Sequence, residues 1–172
     1  MSRSILRYLI GSRLCATEAM TCVLLAERHH ALGDGVRGLL ESSFGVVFTV
    51  VDVTSLLEGA ARLQPTLVVV DLALAGGDLP GLVAQVRERA TTTKVLLLSV
   101  HDESSVAADA LSAGADGMVV KSRIADELLP AVDAVLAGGR YVSELACPAR
   151  TIGPSSAASG VPSGALTRGV RP

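Results

Sequence analysis

The sequence predicts an open, doubly wound α/β domain on a parallel five-stranded sheet. Five short, continuous apolar runs rich in Val and Leu lie between residues 22 and 120, the pattern of strands buried on both faces. Segments with apolar residues at helical spacing separate them, which makes βα units with right-handed crossovers. Three of the runs also end alike, each on one polar residue. Leu67-Val68-Val69-Val70 ends on Asp71, Val95-Leu96-Leu97-Leu98 on Ser99, and Met118-Val119-Val120 on Lys121. Ligands of doubly wound sheets bind at the carboxyl ends of the strands. A carboxylate, a hydroxyl and an ammonium are therefore expected to share one site.

The predicted strands are Cys22–Ala26, Val46–Val51, Leu67–Asp71, Val95–Ser99 and Gly117–Val120. The first helix carries Leu32, Val36, Leu39 and Leu40 on one stripe, and the second Leu56, Leu57, Ala60, Ala61 and Leu63. After Asp71 a loose turn is expected over residues 72–78. The third helix then carries Leu82, Val83, Val86 and Ala90, with Pro80 in its first turn. The fourth carries Val106, Ala107, Ala110 and Leu111 and stops at Gly114. The fifth carries Ile124, Leu128, Val132, Val135 and Leu136. Ser122 is its expected cap, Asp126 and Glu127 lie in its first turns, and Gly138-Gly139 closes it.

Composition bounds the rest. A chain of 172 residues, 49% of them apolar, suits one domain with tails and a real core. The aromatics are Tyr8, Phe44, Phe48 and Tyr141, so Ala, Val and Leu must fill that core. A net charge of -2 argues against a nucleic-acid footprint. No apolar stretch approaches the roughly 20 residues of a membrane span. Cys15, Cys22 and Cys147 form no CxxC pair, so neither a disulfide framework nor a zinc site is expected, and a reducing cytoplasm fits. Residues 1–19 are read as an extension with little order, 20–142 as the domain, and 143–172 as a Ser/Ala/Gly/Pro-rich linker or disordered tail.

Over about residues 21–142 the chain resembles the receiver domain of two-component response regulators. The resemblance rests on Ala26-Glu27-Arg28-His29-His30 after the first strand, the Asp71 loop, Ser99 followed by His101-Asp102, and Gly114-Ala115-Asp116-Gly117 leading to Lys121. Each motif alone is weak, but their order and separations together are specific. The resemblance implies a flavodoxin-like strand order 2-1-3-4-5 and phosphorylation on Asp71 by a sensor histidine kinase. Ser99 would donate its hydroxyl to the phosphoryl group and Lys121 would hold a phosphoryl oxygen. It also implies pairing through the α4–β5–α5 face, meaning the fourth helix, fifth strand and fifth helix. Such a domain is a signalling module and at most assists its own phosphotransfer and dephosphorylation. Lys121-Ser122 and Gly139-Arg140-Tyr141-Val142-Ser143 are similar to the NarL/LuxR-type subfamily. Leu166-Thr167-Arg168 looks like the opening of that subfamily's helix-turn-helix, which does not follow, so no DNA binding is expected of this chain alone.

The resemblance implies Mg²⁺ held by two acids after the first strand, the phosphoacceptor and a backbone carbonyl, here Glu27, Asp71 and Ala73. Arg28 stands where the second acid belongs. Three carboxylates suit a hard divalent cation, whereas Glu27, Arg28 and Asp71 sum to about -1. One Arg–Asp contact at about 4 Å and an effective dielectric near 20 is worth roughly 4 kcal/mol before desolvation. Mg²⁺ binding is thus expected to be weakened. Arg28 either pairs with Asp71 and locks the site, the preferred expectation, or clamps the phosphoryl group in place of the metal. Met118 stands where the family often has a switch aromatic, and Ala75 where it often has Pro. His29 and His30 are adjacent and lack metal-ligand spacing.

The sequence admits three other functions. Gly33-x-Gly35-x-x-Gly38, with Asp52 about 20 residues on, matches a dinucleotide fingerprint. Its glycines fall inside the first helix pattern rather than at the strand-to-helix turn, which argues against it. An aspartyl-phosphate hydrolase needs a second acid two residues after its nucleophile, and that position is Ala73. The remaining alternative is a phosphorylation-independent receiver that acts as a protein-interaction or dimerisation module.

Overall fold

The structure is a computed structural model that describes residues 21–143. The expected extension over 1–19, nearly all of the tail, Leu166-Thr167-Arg168, Cys15 and Cys147 lie outside the described residues. The elements are β1 Cys22–Ala26, α1 His30–Phe44, β2 Val46–Val50, α2 Val53–Leu63, β3 Leu67–Asp71, α3 Leu79–Arg89, β4 Lys94–Ser99, α4 Ser104–Ser112, β5 Gly117–Val120, α5 Ile124–Leu136 and β6 Tyr141–Val142. The sheet is parallel throughout, in the order β2-β1-β3-β4-β5-β6. The doubly wound fold and the order of its first five strands are as expected.

Alternation along the strands divides the core into two layers. Val23 and Leu25 of β1, Val69 of β3, Leu96 and Leu98 of β4 and Val119 of β5 pack against α1 and α5 through Val36, Leu40, Leu128, Val132 and Val135. Leu24, Val68, Val70, Leu97 and Met118 pack on the other face against α2, α3 and α4 through Leu56, Ala60, Val83, Val86, Ala107 and Ala110. The buried core is aliphatic apart from Met118, with Phe44 and Tyr141 packed partly buried against its first layer. Met118 is fully buried in the second layer. Ala61, expected on the α2 stripe, is exposed. No helix among the described residues is long and apolar enough to cross a membrane.

Several local expectations need correction. A sixth strand exists. It is only two residues long and sits where the composition begins to change, so periodicity gave no signal. It fits because Gly117 has no side chain: a Cβ there would lie 2.8 Å from the Tyr141 carbonyl oxygen. β2 is not buried on both faces. It is the sheet edge, Val46 and Phe48 are exposed, and the strand ends at Val50 rather than Val51. Ser122 does not cap α5. It lies in a 3-10 turn over Lys121–Arg123, and Arg123 holds the cap position without a side-chain bond. Asp52 is no ribose ligand, because it caps α2 by accepting from the Ser55 amide at 2.8 Å. Gly33, Gly35 and Gly38 lie within α1, as their register implied.

Signature residues remote from the strand ends serve the scaffold. Asp116 accepts from the Val95 amide at 2.9 Å and from Arg87 Nη2 at 2.9 Å, with Lys94 Nζ 3.3 Å away. It thereby ties the end of α3 to the start of β4. At the opposite edge Ser143 is fully buried. Its hydroxyl donates to Glu127, accepts from the Val120 amide at 2.9 Å, and its own amide donates to the Met118 carbonyl at 3.0 Å. Glu127 also pairs with Arg123. This network fastens β6 to α5.

Candidate functional site

The carboxyl ends of β1, β3, β4 and β5 converge as expected, because every strand runs the same way. Asp71 ends β3 and is 2% exposed. Its Oδ1 accepts the Ala73 amide at 3.1 Å, so residues 72–75 form a 3-10 helix capped by Asp71 rather than a loose turn. Its Oδ2 lies 3.0 Å from Lys121 Nζ, a charge contact off hydrogen-bond alignment. That oxygen thus has a cation beside it and no aligned donor.

Lys121 follows β5, and its ammonium reaches two acids at once. It donates to Glu27 Oε2 at 2.7 Å as well as facing Asp71. Glu27 follows Ala26 at the end of β1 and is 1% exposed. Its other oxygen, Oε1, accepts the His29 backbone amide at 2.9 Å and lies 3.0 Å from His29 Nδ1. Burial pushes the Glu27 carboxyl up. The hydrogen bonds from Lys121 and from the His29 backbone and ring outweigh it, and the net shift is below the ordinary glutamate value.

Ser99 ends β4, fully buried, and its Oγ accepts the His101 amide at 2.9 Å. It makes no hydrogen bond to Asp71 in this state, and its hydroxyl proton is committed to no acceptor among the described residues. Arg28 is not on Asp71. It is exposed and forms no ion pair among the described residues. Glu27 is buried after β1, Arg28 is exposed, and the cation beside Asp71 is Lys121. The expected Arg28–Asp71 lock is therefore replaced by a Lys121 bridge.

His29 is the participant that spacing arguments missed. Adjacent histidines looked like an ordinary loop, but the available signal was Glu27 two residues earlier, since a carboxylate at that offset readily accepts the following backbone amide. That bond brings the His29 ring onto Glu27 and places Glu27, His29 and Asp71 donor atoms within 4.8 Å of one another.

The resemblance implies Mg²⁺ in an acidic pocket, and Glu27 and Asp71 form an acidic cluster here. Their donor set fits Mg²⁺ poorly. The ion demands several oxygen ligands in near-octahedral array. Glu27 Oε2 holds Lys121, Glu27 Oε1 holds His29, and Asp71 Oδ1 holds Ala73, while Arg28 removes the third acid.

The sequence profile of the response regulator receiver domain matches residues 23–133. The chain is 29% identical over 122 residues to the transcriptional regulatory protein DegU of Brevibacillus brevis, covering 70% of this chain and 52% of that protein. It is 32% identical over 124 residues to the nitrate/nitrite response regulator NarP of Escherichia coli, covering 71% and 58%. The chain thus spans a little over half the length of these relatives. A LuxR-family response regulator from Aurantimonas superposes with a TM-score of 0.63 at 30% identity, covering 70% of this chain and 87% of that one. The receiver domain of the putative response regulator NarL from Mycobacterium tuberculosis gives 0.60 at 30% identity, covering 69% and 97%. The chain belongs to the response regulator receiver domain family, and its homologues are regulators of the NarL/LuxR type.

Proposed function

We propose that the chain acts in a phosphorelay by accepting a phosphoryl group on Asp71 from a sensor histidine kinase in the cytoplasm. The observation that carries this reading is Asp71 Oδ2, buried at a strand end, without an aligned donor and 3.0 Å from the Lys121 ammonium. In the transfer an Asp71 carboxylate oxygen attacks the phosphorus of a phosphohistidine. An O–P bond forms, the P–N bond breaks, and the leaving imidazole nitrogen takes a proton from solvent. Lys121 offsets the charge that develops on the phosphoryl oxygens. The Ser99 hydroxyl, one strand over from Asp71, can donate its uncommitted proton to the phosphoryl group while still accepting the His101 amide. Residues 20–142 would be the receiver unit, with homodimerisation through α4, β5 and α5.

A second reading has its own observation. The Glu27–Lys121 contact of 2.7 Å engages the site's ammonium without phosphate, and Arg28 stands in the sequence where a second acid belongs. On that reading the chain is a phosphorylation-independent interaction or dimerisation module. Incubation with acetyl phosphate, with and without Mg²⁺, followed by intact-mass measurement of the wild type and Asp71→Asn, separates the two. One phosphoryl group on the wild type alone supports phosphotransfer. An unmodified wild type supports the module.

A further inference from the structure

We infer that β2 is a pairing edge for a second copy of this chain. Two β2 strands, antiparallel and centred on Phe48, would join two sheets into one. The first observation is a cluster of exposed apolar side chains. Of the four large hydrophobic residues exposed among the described residues, three lie on or just after β2: Val46 at 40%, Phe48 at 43% and Val51 at 42%. Phe48 is in register with Leu24, so it shares the face of the sheet that carries α2, yet neither Val46 nor Phe48 belongs to a core layer. Edge strands are usually kept from pairing by charges, Pro, bulges or short length. The other edge, β6, is only two residues long. β2 runs for five residues, Val46-Val47-Phe48-Thr49-Val50, with no charge and no Pro.

The backbone selects the partner. The Glu27 amide donates to the Val50 carbonyl at 3.0 Å, so Val50, Phe48 and Val46 point their backbone groups at β1. Val47 and Thr49 therefore point theirs outward, and among the described residues β2 pairs with no strand but β1. With a two-fold axis at Phe48, Val47 of one copy stands opposite Thr49 of the other, and every outward N–H and C=O meets a partner. Phe48 then faces its own copy in the close, non-hydrogen-bonded kind of pair, about 4.5 Å between Cα atoms, where aromatic pairs stabilise a sheet. Val46 faces Val50. Beyond the strand Asp52 falls opposite Phe44, so no like charges meet. The strand is its own complement, as a two-fold interface requires. Five paired residues bury less than the roughly 1,200 Å² of a standard interface, so the dimer is reversible and depends on concentration. β2 lies at the opposite end of the sheet from β5 and β6, so this contact is separate from the α4–β5–α5 face.

Sedimentation velocity of the full chain without a phosphodonor, from micromolar to millimolar concentration, should show a reversible monomer–dimer equilibrium. Phe48→Lys sets two ammonium groups against each other at the axis and should weaken association by more than about tenfold. Thr49→Pro removes an outward N–H that β1 does not use, a place where an edge strand tolerates Pro, and should weaken it likewise. Phe48→Tyr should preserve it. Both weakened positions are exposed, so far-UV circular dichroism should show the fold intact. Hydrogen exchange at the Val47 and Thr49 amides reads the same contact in the wild type, where protection should rise with concentration. A chain that stays monomeric throughout would overturn the inference, as would a dimer that persists in both Phe48→Lys and Thr49→Pro, which would lie on another face. Protection independent of concentration would also overturn it; if high, it would assign the edge to a segment of the same chain, such as residues 5–10.

Discussion

Lys121 Nζ lies closer to Glu27 Oε2, at 2.7 Å, than to the Asp71 carboxylate at 3.0 Å. The lysine proposed to hold a phosphoryl oxygen thus also pairs with a glutamate 94 residues away in sequence. Both acids are almost wholly buried, so the ammonium keeps two carboxylates out of water.

Removing that ammonium should therefore be costly. Lys121→Met leaves two buried carboxylates without their shared cation, and breaking a buried pair this way costs roughly 3 kcal/mol. Urea unfolding at neutral pH should show a loss of that order. Adding Glu27→Gln should restore part of it, because one of the stranded charges is gone.

Acid should act through Glu27. Its folded pKa lies below its unfolded value: burial raises it, but the Lys121 and His29 hydrogen bonds lower it further. The stability this gives is complete above the unfolded glutamate value, roughly 4.3. It is lost as pH falls through the lower folded value. The urea midpoint of the wild type should drop across that window, and Glu27→Gln should drop less. Parallel profiles would contradict the assignment.

Asp116 should prove structural despite its place in a signature motif. Asp116→Ala strands the Val95 amide and removes the partner of Arg87 and Lys94. Hydrogen bonds to charged groups are worth roughly 1.5–3 kcal/mol, so a stability loss of about 2 kcal/mol is expected. Asp71 phosphorylation should be unchanged when measured well below the unfolding midpoint.

Gly117→Ala should expel β6. The added methyl meets the Tyr141 carbonyl oxygen at 2.8 Å, Leu96 Cδ1 at 3.0 Å and Val135 Cγ2 at 3.2 Å. Overpacking of this kind typically costs about 1–3 kcal/mol. Hydrogen exchange should report it at the Ser143 amide, which now donates to the Met118 carbonyl at 3.0 Å. Unchanged protection there would contradict the packing argument.

The fold was legible because its signals are local and repeated. Runs such as Leu67–Val70 read as strands, and Gly114, with φ of 95°, read correctly as a helix stop. The convergence of Asp71, Ser99 and Lys121 on one edge followed from the parallel topology alone. What sequence could not supply was the direction of individual side chains. Arg28 and Lys121 are both candidate cations for Asp71 on sequence grounds, and only the turn after β1, which leaves Glu27 buried and Arg28 exposed, decides between them. β6 escaped because two residues carry no period, and its room is made by a glycine more than twenty positions earlier. Ser122 looked like a cap, but the chain inserts a 3-10 turn before α5.

The most direct test of the central claim is the mass of the intact chain after incubation with acetyl phosphate. The wild type should gain a single phosphoryl group with little dependence on Mg²⁺, while Asp71→Asn gains none and Lys121→Met gains far less. An unmodified wild type, or an increment that persists in Asp71→Asn, would contradict the assignment of Asp71 as the phosphoacceptor.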